Sequence, residues 1–233
     1  LAELFEGHRE LFDGLAAASQ WDWSRRFPVI RLSFGGGVIK SRARLERRIL
    51  ALLSREQKRL GIRCHDDTDA AGCFEELIAS AHALTGERVV VLVDEYDKPI
   101  LDNIMDPAMA SAMRDGLRDL YSVIKDADAD IRFAFLTGVS KFSKVSLFSG
   151  LNNLKDITLD ARYSAICRYT ETDIDNVFAP ELADLDREQI RTWYNGYRWR
   201  GEPVYNPYDV LLLFDTRRFQ PWWFETATST FLI

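Results

Sequence analysis

The 233-residue sequence contains no phosphate-binding loop of the form Gly-x-x-x-x-Gly-Lys-Ser/Thr. It also lacks an excess of positive charge. Its 30 lysines and arginines against 36 aspartates and glutamates give a net charge of −6, which argues against a dedicated nucleic-acid binder while leaving a local basic face open. No apolar run approaches the ~20 residues of a membrane-spanning helix, so no membrane association is expected. The three cysteines have no metal-ligand spacing, and their odd number does not suggest a disulfide framework. A reducing, cytoplasmic location is expected.

The sequence also has no initiator methionine and no signal peptide, and it opens at Leu1 within a helical pattern. We therefore expect a fragment of a longer protein. The length and the 47% of hydrophobic residues are typical of a globular chain that buries a sizeable core, which excludes a disordered chain.

Segments with strand-like and helix-like apolar patterns alternate along the first two thirds of the chain. A strand is predicted from Pro28, where apolar residues alternate with polar ones. Ser41 is a predicted N-cap of a charge-rich helix that ends near Gly61, and a second helix closes at Gly86. The run Val89–Val93 is typical of a strand buried on both faces, and a further buried strand is predicted from Ile131.

This strand–helix alternation is typical of βαβ units. It predicts an α/β core over residues 1–168, with helices flanking a parallel sheet. From about Thr170 short helical stretches, aromatic clusters and turns predominate. Residues 169–233 are therefore predicted to form a smaller, mostly helical part.

Two acids, Asp94 and Glu95, directly follow the apolar run of the central predicted strand. The carboxyl edge of an open α/β sheet is where ligands bind. In nucleotide-hydrolysing proteins with such a strand, the first acid holds Mg²⁺ and the second polarises the attacking water. The pattern thus predicts Asp94 as a metal ligand and both acids as nucleotide-site residues. The alternative is that they merely begin a loop or helix.

A second strand ends in polar residues, at Thr137, Ser140 and Lys141. A hydroxyl at a strand tip can orient a γ-phosphate or its attacking water, and a lysine can supply charge. A surface turn with a solvated lysine explains the same residues.

Other candidates are weaker. Arg162 or Arg168 is a possible arginine finger. The basic helix over 42–59 is either a nucleic-acid contact or a solvated face, and His65 in a polar loop is a poor metal ligand. The aromatic residues after residue 190 serve either base stacking or the core of the small C-terminal part. Residues 35–37 are all glycine, but without the following lysine and hydroxyl they do not form a phosphate loop.

Several motifs together resemble the AAA-ATPase-like family of bacterial and archaeal proteins. Their order and spacing match across nearly the whole chain, over residues 94–100, 136–143, 147–154, 193–197, 205–208 and 223–226. The first of these segments contains Asp94-Glu95-Tyr96-Asp97-Lys98-Pro99, and the second contains Thr137-Gly138-Val139-Ser140-Lys141.

The resemblance implies a P-loop NTPase-like fold with a winged-helix-like C-terminal part. It also implies that the phosphate loop lies shortly before Leu1, so ATP and Mg²⁺ are expected only when that loop is present. The 233 residues by themselves are then expected to be inactive. Many family members also carry a downstream nuclease-like domain.

Three functions remain open at this point. The first is an ATPase coupled to an unknown protein partner or attached domain, in which Asp94 holds Mg²⁺, Glu95 activates water, and Thr137, Ser140 and Lys141 sense the γ-phosphate. The second is a non-catalytic regulatory or interaction module. The third is a DNA-processing module that works with a nuclease domain. A homo-oligomer is compatible with each.

Overall fold

The structure is a computed structural model of the chain. It describes residues 1–65, 69–139, 147–148, 153–196 and 201–223. The chain divides into two compact units, Leu1–Asn153 and Leu154–Ile233. The domain boundary expected at residues 168 and 169 stays a prediction. Within the described ranges, every helix is too short or too polar to cross a bilayer.

The first unit is an α/β assembly. Its strands are β1 (Val29–Ser33), β2 (Val89–Asp94) and β3 (Ile131–Leu136). Its α-helices are α1 (Ala2–Glu6), α2 (Ala17–Gln20), α3 (Arg42–Leu60), α4 (Ala70–Thr85), α5 (Lys98–Leu101) and α6 (Pro107–Asp126), with short 3-10 helices at Arg9–Phe12 and Asp128–Asp130. The strands form a parallel sheet in the order β1-β2-β3. The predicted α/β class, with a parallel sheet flanked by helices, is confirmed.

The central strand β2 is the most deeply buried of the three. Val90 packs with Val29 and with Phe5 of α1 on one face of the sheet. Because side chains alternate along a strand, Val91 and Val93 point to the opposite face, and they are buried there as well. This covering on both faces is what the continuous β-branched run predicts.

β3 differs from its prediction as a buried strand. Only Ile131 is fully buried, whereas Phe133 is 37% exposed. The physical reason is position: among the described residues β3 pairs with β2 along one side only, so it is an edge strand. The ring of Phe5 stacks on that of Phe133 with 5.6 Å between centroids and covers part of this surface.

The predicted ends of α3 and α4 are confirmed. The Ser41 side chain accepts a hydrogen bond from the Arg44 N–H at 3.2 Å, and Gly61 and Gly86 end the two helices in the left-handed conformation. A disulfide joins Cys64, after α3, to Cys73 in the first turns of α4, with Cα atoms 5.3 Å apart. Sequence reasoning did not expect this disulfide, because the number and spacing of the cysteines do not show which two of them lie close together.

The second unit is mostly helical in its described part. It contains α7 (Glu171–Val177), α8 (Arg187–Tyr194) and α9 (Pro207–Thr216), with a 3-10 turn at Ala161–Tyr163. Its core includes residues from all three helices, among them Ile174, Ile190 and Leu213. Within the described residues its β structure is an antiparallel bridge between Tyr169 and Tyr205.

A polar network centred on Glu171 joins α7 to α8 and to Tyr205. The Glu171 carboxylate accepts hydrogen bonds from Arg191 at 3.0 Å, Asn195 at 2.9 Å and the Tyr205 hydroxyl at 2.8 Å, and it also pairs with Arg187. Burial opposes ionisation of this carboxyl, but the hydrogen bonds from Arg191 and Tyr205 outweigh it and lower the pKa of Glu171.

Candidate functional site

The three strands end at one edge of the sheet, where their last residues lie side by side. Ser33 at the end of β1 is in register with Asp94 at the end of β2. The N–H of Thr137, directly after β3, donates to the Val93 carbonyl at 2.8 Å. Asp94, Glu95 and Thr137 therefore follow adjacent parallel strands at the edge where open α/β sheets bind ligands.

Asp94 presents an exposed carboxylate at this edge. Its Oδ1 accepts a hydrogen bond from Thr137 Oγ1 at 2.7 Å. In the described part of the chain nothing else pairs with this side chain, so its Oδ2 is available to a ligand. Mg²⁺ prefers carboxylate oxygens and keeps several of its waters, which suits an exposed acid with one available oxygen.

Glu95 has a left-handed backbone, with φ of 51°. This conformation is costly for a residue with a side chain, and residues so strained cluster at functional sites, although Asp184 and Arg217 of the second unit adopt it too. The half-buried Glu95 carboxylate lies against Gly35, where a Cβ atom would be 3.2 Å from Oε1. Gly35 thus allows the carboxylate to approach the backbone that follows β1.

Residues 137–139, which follow β3, contact a buried acid, Asp97, to which sequence reasoning assigned no role. Asp97 is fully buried and accepts a hydrogen bond from the Val139 N–H at 3.2 Å. A Cβ atom at Gly138 would be 2.6 Å from both Asp97 Oδ1 and the Tyr96 ring. The buried Tyr121 hydroxyl donates to the Tyr96 carbonyl at 3.1 Å, and burial, together with the charge of Asp97, raises the pKa of Tyr121 well above its usual value. Of the predicted site residues on this segment, Ser140 and Lys141 lie outside the described residues, and their roles stay predictions.

The glycine loop, residues 35–40, is held against α5 and the turn that follows it. Lys98 Nζ donates to the Gly37 carbonyl at 3.1 Å and pairs with Asp102 at 2.8 Å. Asn103, buried beyond α5, donates from Nδ2 to the Ile39 carbonyl at 2.6 Å. These bonds give the loop a defined path beside Glu95.

Arg48 of α3, to which sequence reasoning assigned no individual role, caps the end of β1 on the side that faces away from β2. Its Nη2 donates to the Ser33 carbonyl at 3.3 Å and lies 2.9 Å from where a Cβ atom of Gly36 would be. The sequence does contain one signal that could have singled out Arg48, namely its position beside Ile49 on the buried face of α3. A residue next to that face is directed toward the sheet, and Arg48 is half-buried there.

The weaker candidates are placed elsewhere. Arg162 and Arg168 belong to the second unit, and Arg162 donates to Asp160 through Nε at 2.9 Å and Nη2 at 2.6 Å. These hydrogen bonds lower the pKa of Asp160. The arginine-finger role of either residue stays a prediction.

On the basic helix α3, Arg42 and Arg59 pair with acids, at 3.4 Å to Asp119 and at 2.8 Å to Glu6. His65 pairs with Glu76 at 3.0 Å, as expected of a polar loop rather than a metal site. Among the aromatic residues, Tyr194 and Tyr205 are buried in the core of the second unit, whereas Trp193 is 37% exposed.

Comparisons with known proteins bear on the family of the chain. The model of a family described as predicted AAA-ATPases, AAA-ATPase-like, matches residues 1–148. A protein of Azotobacter chroococcum mcd 1, named "Uncharacterized protein in vnfD 5'region", is 65% identical over 233 residues. The match covers 100% of this chain and 45% of that protein, so the chain spans less than half of its relative's length. No solved structure was found to match the chain. The family resemblance of the sequence motifs is thereby confirmed.

Proposed function

Since the chain belongs to the AAA-ATPase-like family, we propose that it supplies the acidic part of an ATP-hydrolysing site. In this proposal Asp94 holds Mg²⁺ and Glu95 accepts a proton from the attacking water. Thr137, together with Ser140 and Lys141, responds to the γ-phosphate. When bound, Mg²⁺ neutralises phosphate charge. Turnover drives a protein partner or an attached domain in the cytoplasm.

The observation that carries the proposal is the pair of acids at the carboxyl end of the central parallel strand. The two carboxylates have different surroundings, which suits different roles. Asp94 is exposed, with an available oxygen, whereas Glu95 is half-buried against Gly35. A metal ligand needs room for water, and a general base benefits from partial shielding.

The proposal includes a P-loop NTPase-like fold in which a preceding strand carries the phosphate loop. The outer edge of β3 supports this part, since within the described residues it has no partner strand. Phe5 of α1 stacks on Phe133 of β3, so α1, the helix that would follow the phosphate loop, lies beside this strand. A winged-helix-like arrangement of the second unit belongs to the same proposal.

The test compares Asp94→Asn with Glu95→Gln in the whole product of the gene that encodes this chain. Glu95→Gln should bind Mg-ATP normally and lose roughly 10²-fold or more of its phosphate release, because only the base is removed. Asp94→Asn should weaken Mg-dependent binding itself. Glu75→Gln, an exposed acid on α4, is the matched control and should change neither quantity.

Equal losses of Mg-ATP binding in Asp94→Asn and Glu95→Gln would show that the roles of the two acids are wrongly assigned. Unchanged hydrolysis in Glu95→Gln would show that the end of β2 is not the catalytic site.

A second candidate is a non-catalytic regulatory or interaction module. Such a module retains the fold without hydrolysing a nucleotide. The same assay separates the two, because a module of this kind shows no phosphate release in the unmodified protein. A DNA-processing role together with a nuclease domain is the third candidate, and DNA-stimulated hydrolysis would support it.

A further inference from the structure

Asp97 is the N-cap residue of α5, but its side chain does not cap that helix. An aspartate at this position usually accepts hydrogen bonds from the N–H groups of the first turn. In α5, which is described throughout, no N–H group donates to the Asp97 side chain. The carboxylate accepts instead from the Val139 N–H at 3.2 Å, 42 residues further along the chain. The acid therefore connects two segments rather than beginning a helix.

The surroundings of this carboxylate show which segment depends on it. Asp97 is fully buried, and a buried carboxylate loses its hydration unless hydrogen bonds replace it. Gly138 leaves room for the acid, because a Cβ atom there would be 2.6 Å from Oδ1. Val139, by contrast, is 71% exposed and has little packing of its own. Its N–H bond to Asp97 therefore positions residues 138–139 where burial does not.

The same turn carries Glu95, and the same segment carries Thr137. The Tyr96 N–H donates to the Thr137 carbonyl at 2.9 Å, so the residue between the two acids pairs directly with the segment after β3. Asp97 adds a second connection two residues further along that segment. Thr137 Oγ1 in turn donates to Asp94 Oδ1 at 2.7 Å. The residues that follow β2 and those that follow β3 are thus joined at successive points.

We infer that Asp97 is a positioning residue of the proposed site, which keeps the segment carrying Thr137 in place beside Glu95. This inference rests on the proposed function, and it adds a buried acid that acts through that segment without contacting the nucleotide. A displaced Thr137 impairs the transition state more than it impairs nucleotide binding. A displacement of about 1 Å is sufficient to lower a rate by up to about 10²-fold.

The experiment measures kcat and KM for Mg-ATP in the whole gene product. Asp97→Ala should lower kcat by about tenfold or more and change KM by less than about twofold, because the bond to Val139 is lost. Asp97→Asn retains an acceptor oxygen, so its kcat should stay within about threefold of the unmodified value. The matched control is Asp106→Ala, since Asp106 does cap its helix, α6, by accepting from the Met109 N–H at 3.0 Å. This variant should lower the melting temperature and leave kcat unchanged.

Amide hydrogen exchange gives a measurement that does not depend on activity. The Val139 N–H should exchange slowly although the residue is exposed, and this protection should be lost in Asp97→Ala and retained in Asp97→Asn. If Asp97→Ala does not fold, Asp97→Ser takes its place in both measurements. Serine is a good N-cap residue, and its hydroxyl is one bond shorter than the carboxylate, so α5 is retained while the contact with Val139 is weakened.

The outcomes separate this inference from the proposed function. A kcat in Asp97→Ala no lower than that in Asp106→Ala would overturn the inference alone. Equal losses of kcat in Asp97→Ala and Asp97→Asn would also overturn it, as would rapid exchange of the Val139 N–H in the unmodified protein. If the unmodified protein releases no phosphate, the proposed function fails and this inference fails with it.

Discussion

Thr137 Oγ1 donates a hydrogen bond to Asp94 Oδ1 at 2.7 Å and so links the ends of two neighbouring strands. The backbone of Thr137 is itself held by its N–H bond to the Val93 carbonyl at 2.8 Å. The Thr137 side chain therefore projects from a backbone that is held in place, and its hydroxyl orients the Asp94 carboxylate. In the proposed site, Thr137 orients Asp94, and its hydroxyl, whose single proton goes to Asp94, accepts a hydrogen bond from the attacking water.

Replacing Thr137 by valine removes the hydroxyl and retains the shape of the side chain. In the whole gene product we expect turnover to fall by about tenfold, with a smaller loss of Mg-ATP affinity, as for one hydrogen bond. Thr137→Ser should retain most of the activity. Because Thr137 and Asp94 share a bond, the double variant with Asp94→Asn should lose less than the two single losses combined. Strictly additive losses in phosphate-release assays would contradict this coupling.

The close approach of Gly138 to Asp97 and Tyr96 makes a prediction about stability. A methyl group there meets the Asp97 carboxylate and the Tyr96 ring, so Gly138→Ala should reduce the free energy of unfolding by about 1–3 kcal/mol, the usual effect of overpacking. Gly196→Ala is the control, since no described atom lies within 4 Å of a Cβ atom at that position. Urea unfolding followed by tryptophan fluorescence measures both. Equal free energies of unfolding for the two variants would show that residues 137–139 move to accommodate the methyl group without cost.

The Cys64–Cys73 disulfide should stabilise the loop between α3 and α4. It closes a sequence separation of 9 residues, for which chain entropy gives about 2–3 kcal/mol. Reduction, or Cys64→Ser, should lower the melting temperature, whereas Cys167→Ser should not, because Cys167 is exposed and free. Titration of free thiols in the denatured protein checks the bond directly, and three free thiols before reduction would exclude it in the protein as isolated.

The Glu171 network predicts a pH dependence of stability in the second unit. The pKa of Glu171 is lower in the folded chain than in the unfolded chain, so its ionised form stabilises the fold above the unfolded value. That stability is lost as pH falls through the folded pKa. Glu171→Gln should therefore lower stability at neutral pH, and the difference from the unmodified chain should shrink as pH falls below the unfolded pKa and through the lowered folded one. Glu188→Gln, which removes the exposed partner of Arg191, is the control and should have little effect. A difference that persists unchanged at low pH would assign the effect to packing.

Local signals in the sequence were sufficient to predict most of the helices and strands of the first unit. The cap at Ser41, the glycine ends at Gly61 and Gly86, and the β-branched run of β2 each depend on a few neighbouring residues. The placement of Asp94 and Glu95 at the carboxyl end of a central parallel strand follows from that run together with the βαβ pattern.

The features that sequence reasoning missed depend on contacts between distant segments. β3 has the apolar composition of a buried strand, but its exposure is set by its place at the sheet edge. The pairing of Cys64 with Cys73 and the burial of Asp97 depend on how loops fold back onto helices. Arg48 was one of several arginines on α3, and only the path of the glycine loop distinguishes it from the others.

The left-handed backbone of Glu95 lowers the stability of the fold at a position where the proposed chemistry needs a carboxylate. For a residue with a side chain this conformation costs about 1–2 kcal/mol, while glycine and asparagine adopt it readily. Selection for heat resistance without regard to activity should therefore favour Glu95→Gly and Glu95→Asn. Such variants would melt at a higher temperature and, in the proposed site, lose roughly 10²-fold or more of their phosphate release. Thermostabilisation that retains the proposed activity therefore requires position 95 to be held constant.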